Sequence, residues 1–130
     1  MEFHLKEAEG FYTDLEYGRL EVAGSAQQGF KPSQLLVSSV AVCSGGVLRT
    51  VLEKMRLAFS DIHISAREER SGGVGSPIEK IQLHFIIKGI GLPTEKIEKA
   101  MKFTTRNCPI VQSLQGSIEV DKTFEIVDGG

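Results

Sequence analysis

Charge of one sign is what this sequence most lacks. Its 15 basic and 17 acidic side chains leave a net charge of −2 over 130 residues, with the signs interleaved. Such a surface offers no basic stripe to a nucleic-acid backbone and no polybasic patch to anionic lipid, so neither nucleic acid nor a membrane is expected as a partner. The N-terminus, Met1-Glu2-Phe3-His4-Leu5-Lys6, lacks the basic and apolar regions of a secretory signal, which makes the cytoplasm the expected compartment. The longest apolar stretch, Leu35 to Leu52, is broken by Ser38, Ser39, Ser44, Gly45, Gly46, Arg49 and Thr50. A membrane span needs about 20 predominantly apolar residues, and the stretch reads instead as a core helix. Motifs are equally sparse: there is no G-x-G-x-x-G, no Walker loop, no C-x-x-C and no H-E-x-x-H. The glycine-rich run Ser71–Ser76 lies between two expected strands and opens no helix, so it reads as a hairpin loop and not a phosphate cradle. His4, His63 and His84 fall far apart on the polar sides of strands, where solvated histidines are expected and metal ligands are not. No cofactor and no metal is therefore expected.

What is present is the make-up of an ordinary globular protein, with 41% apolar and 25% charged residues. The length fits one domain, residues 1–130, long enough to hide roughly two-thirds of its unfolded surface. The first thirty residues read as short strands, with Phe3, Leu5, Leu20 and Val22 alternating with polar neighbours and Gly10, Gly18 and Gly24 punctuating them. Pro32 suits a first helical position, and from there to about Arg56 the pattern is helical. Leu35, Leu36, Val37, Val40, Ala41, Val42 and Cys43 leave almost no polar side, which predicts burial all round. Val47, Leu48, Val51, Leu52 and Met55 continue it as a stripe. Such a rod is roughly 36 Å long at 1.5 Å per residue, more than so small a domain covers alone, and a homodimer is expected. The period then switches to two through Ile62, Ile64 and Ala66, and again through Ile81, Leu83, Phe85 and Ile87. A second helix opens at Pro93-Thr94-Glu95, with Ile97, Ala100, Met101 and Thr104 on one face, and Pro109 interrupts it. In the last strand Ile118, Val120, Phe124 and Ile126 face in, while Glu119, Asp121, Thr123 and Glu125 face out. The fold class is α+β: N-terminal strands, a long buried central helix, two strands, a second helix and a C-terminal strand, with no βαβ alternation.

Two cysteines remain as the seat of any chemistry. In a reducing compartment they are free or catalytic thiols more often than a structural staple. Cys43 lies in the apolar helix beside Ala41, Ser44, Gly45 and Gly46, small residues that leave room for another helix or for a substrate. Two readings of it stand, a small core hydrophobe and a reactive thiol. Cys108 sits at a helix break, where Pro109 points to a new short helix; helix N-termini lower thiol pKa values. Spacing alone does not bring the two together.

Lys31-Pro32-Ser33-Gln34-Leu35-Leu36, followed by Cys43, resembles the P-x-x-L-L…C helix of the OsmC/Ohr family of organic hydroperoxide reductases. Cys108-Pro109, with Gly116, Ile118 and Val120 after it, is similar to that family's second-cysteine segment and closing strand. The likeness runs from about Phe30 to Val127. It implies an OsmC-like fold in an intertwined homodimer, with long central helices enclosed by sheets and active sites near the subunit interface. It also implies a thiol peroxidase of the oxidative stress response, with Cys43 as peroxidatic and Cys108 as resolving cysteine. These would join in a transient disulfide, and a dithiol reductant such as a lipoylated protein would regenerate the thiols. One position departs from the pattern. Family peroxidases carry a glutamate that anchors an arginine beside the thiol, and Ser33 stands there in this chain. Arg19 is the candidate for that arginine. The departure motivates an alternative, a non-catalytic OsmC-like protein that binds an apolar small molecule or partner in the dimer cleft.

Overall fold

The computed structural model describes residues 1–130. The chain divides into two compact units, Met1–Ser38 and Ser39–Gly130. In the first, β1 (His4–Leu5), β2 (Phe11–Asp14) and β3 (Arg19–Val22) form an antiparallel sheet in that order. The turn into β2 needs Gly10, which has φ +84° and where a Cβ would lie 2.2 Å from the Val22 carbonyl oxygen. The segment ahead of the long helix is tied back onto β3, the Phe30 amide donating to the Glu21 carbonyl at 2.9 Å.

The long helix, α1 (Pro32–Lys54), runs from the first unit into the second. It stops two residues short of the expected Arg56. Arg56 takes a left-handed φ of +58°, and the Leu57 amide closes back on the Leu52 carbonyl at 3.0 Å. This is the pairing of a left-handed helix stop, one that usually selects glycine. Burial all round is not found: within one chain only Val40, Ser44, Leu48 and Leu52 are buried. They form a single i, i+4 row, and Val42 on another face is 71% exposed. By length and composition alone α1 is long and apolar enough to cross a bilayer, contrary to the sequence expectation. The serines and glycines that interrupt it are uncharged and nearly neutral in hydropathy, so they lower its apolar character little. The tightly packed row is nevertheless what a core helix presents.

The rest of the second unit is β4 (Phe59–Arg70), β5 (Ile78–Gly89), α2 (Thr94–Asn107), α3 (Pro109–Ser113) and β6 (Glu119–Asp128), with sheet order β4-β5-β6. β4 and β5 are the expected hairpin. β6 joins the other edge of β5 in parallel register, so β5, the helices and β6 make one βαβ crossover. This single crossover is compatible with the expected absence of a βαβ alternation, but the sequence pattern does not disclose its parallel pairing. Composition does not distinguish a strand that returns beside its predecessor from one that joins elsewhere, because the choice is made by long-range pairing. The parallel register aligns Ile81 with Val120, Leu83 with Lys122, Phe85 with Phe124 and Ile87 with Ile126. Paired residues share a face, and the β5 members of this row are buried. With Val40, Leu48 and Leu52 of α1 and Ile97, Ala100 and Met101 of α2 they make the core of the unit.

Candidate active site

Cys43 projects from the middle of α1. Its neighbours on the helix explain its surroundings. At Gly45 a Cβ would lie 2.6 Å from the Ile64 Cδ1 atom, so the missing side chain lets β4 press against the helix. At Gly46 a Cβ would meet nothing within 4 Å. That glycine opens onto a groove of about 690 Å³ running from Cys43 along α1 and α2. Val47, Val51, Met55 and Phe103 line it, together with Lys54 and Lys99. Cys43 is partly exposed there.

Cys108 stands at the junction of α2 and α3. Its extended backbone (φ −85°, ψ 110°) ends one helix and begins the next, with Pro109 as the first residue of the second. Pro109 cannot continue α2, because it has no N–H and its ring clashes with the preceding turn. The chain therefore breaks with the Cys108 side chain turned inward, and the residue is 0% exposed. Its sulfur lies 2.9 Å from that of Cys43, and both thiols are free. A disulfide is about 2.05 Å long, so the bond could form with a shift of under an ångström or so. The fold thus brings together two residues that spacing could not.

The two sulfurs differ in electrostatics. Burial pushes the Cys43 thiol above its ordinary pKa, and its hydrogen bond with Cys108 adds to the rise. Burial also pushes Cys108 up, but donors outweigh it and hold this thiol below the ordinary value. They are the Cys43 thiol, the backbone N–H groups of Ile110 and Val111, and the Ser44 hydroxyl at 3.7 Å. The two N–H groups face the sulfur loosely, short of full capping bonds. The pair therefore prefers to lose its first proton at the buried sulfur, with Cys43 donating to the thiolate. An accessible thiol stands in front of a sealed one whose ionised form is the better held.

Lys122 was not among the residues singled out from sequence. It occupies the inward row of β6 between Val120 and Phe124, and its ammonium nitrogen is buried with no hydrogen-bond partner. Burial lowers its pKa, while the charges of Cys108 and Cys43 act in the opposite direction. The signal was a lysine at an inward position of an otherwise alternating strand. Arg19 is engaged within the N-terminal unit: its guanidinium makes two hydrogen bonds to Asp14, at 2.8 and 3.2 Å, and stacks 4.0 Å above the Tyr12 ring. His84 bonds Thr123 at 2.7 Å and Glu125 at 3.3 Å on the outer face of the second sheet.

A family model described as OsmC-like protein matches residues 24–122. No curated protein matches the chain. Among solved structures, the fold is similar to that of a hypothetical protein from Aquifex aeolicus VF5, with TM-score 0.88 and 22% identity, covering 99% of this chain and 96% of that one. It is similar to an OsmC like protein from Mycoplasma pneumoniae, with TM-score 0.84 and 17% identity over 97% and 94% of the two chains. It also resembles an organic hydroperoxide resistance protein OsmC from Legionella pneumophila, with TM-score 0.73 and 16% identity over 95% and 93%.

Proposed function

The chain belongs to the OsmC-like protein family, and on that premise we propose that it reduces organic hydroperoxides, with Cys43 as the peroxidatic and Cys108 as the resolving thiol. The single observation behind this reading is the 2.9 Å separation of an accessible sulfur and a sealed one. Cys43, deprotonated by passing its proton to the Cys108 thiolate or to solvent, attacks the distal oxygen of the peroxide. The O–O bond breaks, the alkoxide takes a proton and leaves as alcohol, and Cys43 becomes a sulfenic acid. Cys108, giving up any proton it accepted, then attacks the Cys43 sulfur as a thiolate. The departing hydroxide takes that proton, or one from solvent, and leaves as water, and a disulfide forms. The lowered pKa of Cys108 suits this second step, since the thiolate is the nucleophile. A dithiol, of which a lipoyl group is one kind, reduces the disulfide by two exchanges. A reducing cytoplasm is the compartment that fits free thiols between turnovers.

The groove supports an organic substrate. Its walls are apolar, and each alkyl methylene buried against them is worth about 0.8 kcal/mol. With cumene hydroperoxide, the wild-type chain should lose two hydrogens in intact mass and turn over with a dithiol. Cys43→Ser should do neither; undiminished turnover in that variant rules the reading out. A second reading, in which the same groove holds an apolar small molecule and the thiols are inert, is favoured by a copurified ligand in native mass spectrometry together with no thiol loss on adding peroxide.

The active form we assign is a homodimer. Val42 on α1, and Phe3, Leu5 and Phe11 in the N-terminal unit, are at least half exposed in a single chain. Leu5 and Phe11 are cross-strand neighbours, and adjoining exposed apolar side chains of this size mark contact surfaces. Sedimentation equilibrium should give twice the mass of the 14.2 kDa chain, and a monomer at micromolar concentration contradicts the assignment.

A further inference from the structure

An ammonium group buried without any hydrogen-bond partner is costly, and such a group persists where an anion compensates it. Lys122 is in that position. Across the sheet its partner is Leu83, flanked by Ile81 and Phe85, all apolar. On its own strand Val120 and Phe124 share its face. The charged groups of β5 and β6 nearby are on the opposite face and already paired. Lys80 bonds Asp121 at 2.8 Å and reaches Glu119 at 3.9 Å, and His84 bonds Glu125. Glu68, at the far end of the inward row of β4, pairs with Arg70 at 3.1 Å. From the helices, α2 buries Thr104, whose hydroxyl is spent on the Ala100 carbonyl at 2.8 Å, and the α2–α3 junction and α1 carry Cys108 and Cys43, whose charges act on the Lys122 ammonium. Of these groups, the two thiols are the ones left to carry an uncompensated negative charge toward the Lys122 ammonium, and it is their charges that act on it.

We propose that Lys122 is the cation of the thiol pair, holding as an ammonium the proton that one thiol gives up and so keeping a thiolate in the reduced protein. The exchange is S–H plus amine to thiolate plus ammonium, with no change in net charge and no other reactant. In this role Lys122 is a positioning residue. It supplies in the second unit the positive charge for which the sequence pointed to Arg19, and it acts without the carboxylate that Ser33 replaces. The inference deepens the peroxidase reading, yet its test needs no peroxide.

The experiment is the pH profile of Cys43 alkylation by iodoacetamide in the reduced protein, followed by peptide mass spectrometry, for wild type, Lys122→Met, Lys122→Arg and Arg19→Ala. Opposite charges near a titrating group shift it by about one unit or more. Lys122→Met should therefore move the profile to higher pH and slow alkylation about tenfold at pH 7. Lys122→Arg should restore most of the rate, and Arg19→Ala should leave the profile in place. Methionine has the length to fill the space without a charge, so the variant is expected to fold. If it does not, the ε-carbon NMR shift of Lys122 gives the same answer in the Cys43→Ser/Cys108→Ser double variant. There its midpoint should fall to lower pH than in the reduced wild type. An unchanged profile in Lys122→Met, a shift reproduced by Arg19→Ala, or a Lys122 midpoint indifferent to the thiols overturns the proposal. A Lys122→Met shift in a protein that ignores peroxide would sink the peroxidase reading and leave this one standing.

Discussion

Gly46 separates stability from function. It lies in the interior of α1, one turn from Cys43, and a side chain there would meet no atom within 4 Å of its Cβ. Replacing a mid-helix glycine removes backbone entropy from the unfolded chain, worth about 0.5–1 kcal/mol for alanine, and leucine is nearly as good a helix former. Gly46→Leu should thus raise Tm by about 3 °C when measured at one protein concentration. The same side chain enters the groove beside Cys43. Displacing roughly three methylenes of a bulky substrate costs about 2.4 kcal/mol at 0.8 kcal/mol each. That is about a 60-fold loss of kcat/KM for cumene hydroperoxide, with hydrogen peroxide, which has no alkyl group to lose, much less affected. The assay is the ratio of the two kcat/KM values in a coupled dithiol reaction. A more stable variant with an unchanged ratio would refute the placement of substrate in this groove; a less stable one would refute the open space at Gly46.

Gly45 should behave in the opposite way. Gly45→Ala meets the Ile64 Cδ1 atom at 2.6 Å and should cost about 1 kcal/mol in urea unfolding. Adding Ile64→Val removes that atom and should recover at least about 0.5 kcal/mol beyond additivity; strictly additive effects would mean that the two do not touch. Leu48→Ala, at a position with no exposure, should destabilise by about 3 kcal/mol, and a loss under about 1 kcal/mol would place it outside the core. Arg56→Gly relieves a left-handed φ of +58° and should stabilise by up to about 1 kcal/mol in the same assay. Cys108→Ser removes a hydrogen bond and a charge that both help hold the Cys43 thiol above its ordinary pKa. The thiolate is the reacting form, so the Cys43 alkylation profile should move to lower pH. Under excess peroxide the same variant should gain two oxygens at Cys43 for want of a resolving thiol. A profile that moves upward, or a Cys43 that stops at sulfenic acid, contradicts the pairing.

The elements that the sequence disclosed are those whose signal is local. Ile97, Ala100, Met101 and Thr104 repeat at helical spacing and are buried together on α2. Pro109 marked the break at Cys108, and α3 begins there. Ile81, Leu83, Phe85 and Ile87 alternate and form the inward row of β5. What stayed hidden depends on residues far apart in the chain. The contact of Cys43 with Cys108 joins positions 65 residues apart, and the parallel docking of β6 on β5 is a choice of sheet edge that no local period encodes. The uniform apolarity of α1 was read as burial on every side. A single chain buries one row of it, because hydrophobicity states what a surface avoids and not which molecule covers it.

Lys122 shows how a departure from pattern becomes informative once register is known. Reading the last strand by alternation places Val120 and Phe124 inward and their polar neighbours outward, and a lysine between them is simply skipped. In the sheet it belongs to the inward row as strictly as Leu83, its partner. A core can be filled by a leucine or methionine at that position at no electrostatic cost, often with a gain in stability. A buried ammonium there is a local inconsistency of the kind that folds keep at functional sites. Gly46 is another, a helix-weakening residue left with empty space over it. These two departures come from β6 and α1, by different physics, and both bear on the same sulfurs. One opens a path to Cys43, and the other sets a positive charge behind it. Chance placement of a lysine would give no reason for Glu68, a carboxylate on its face of the sheet, to be paired elsewhere and for two thiols to act on its charge.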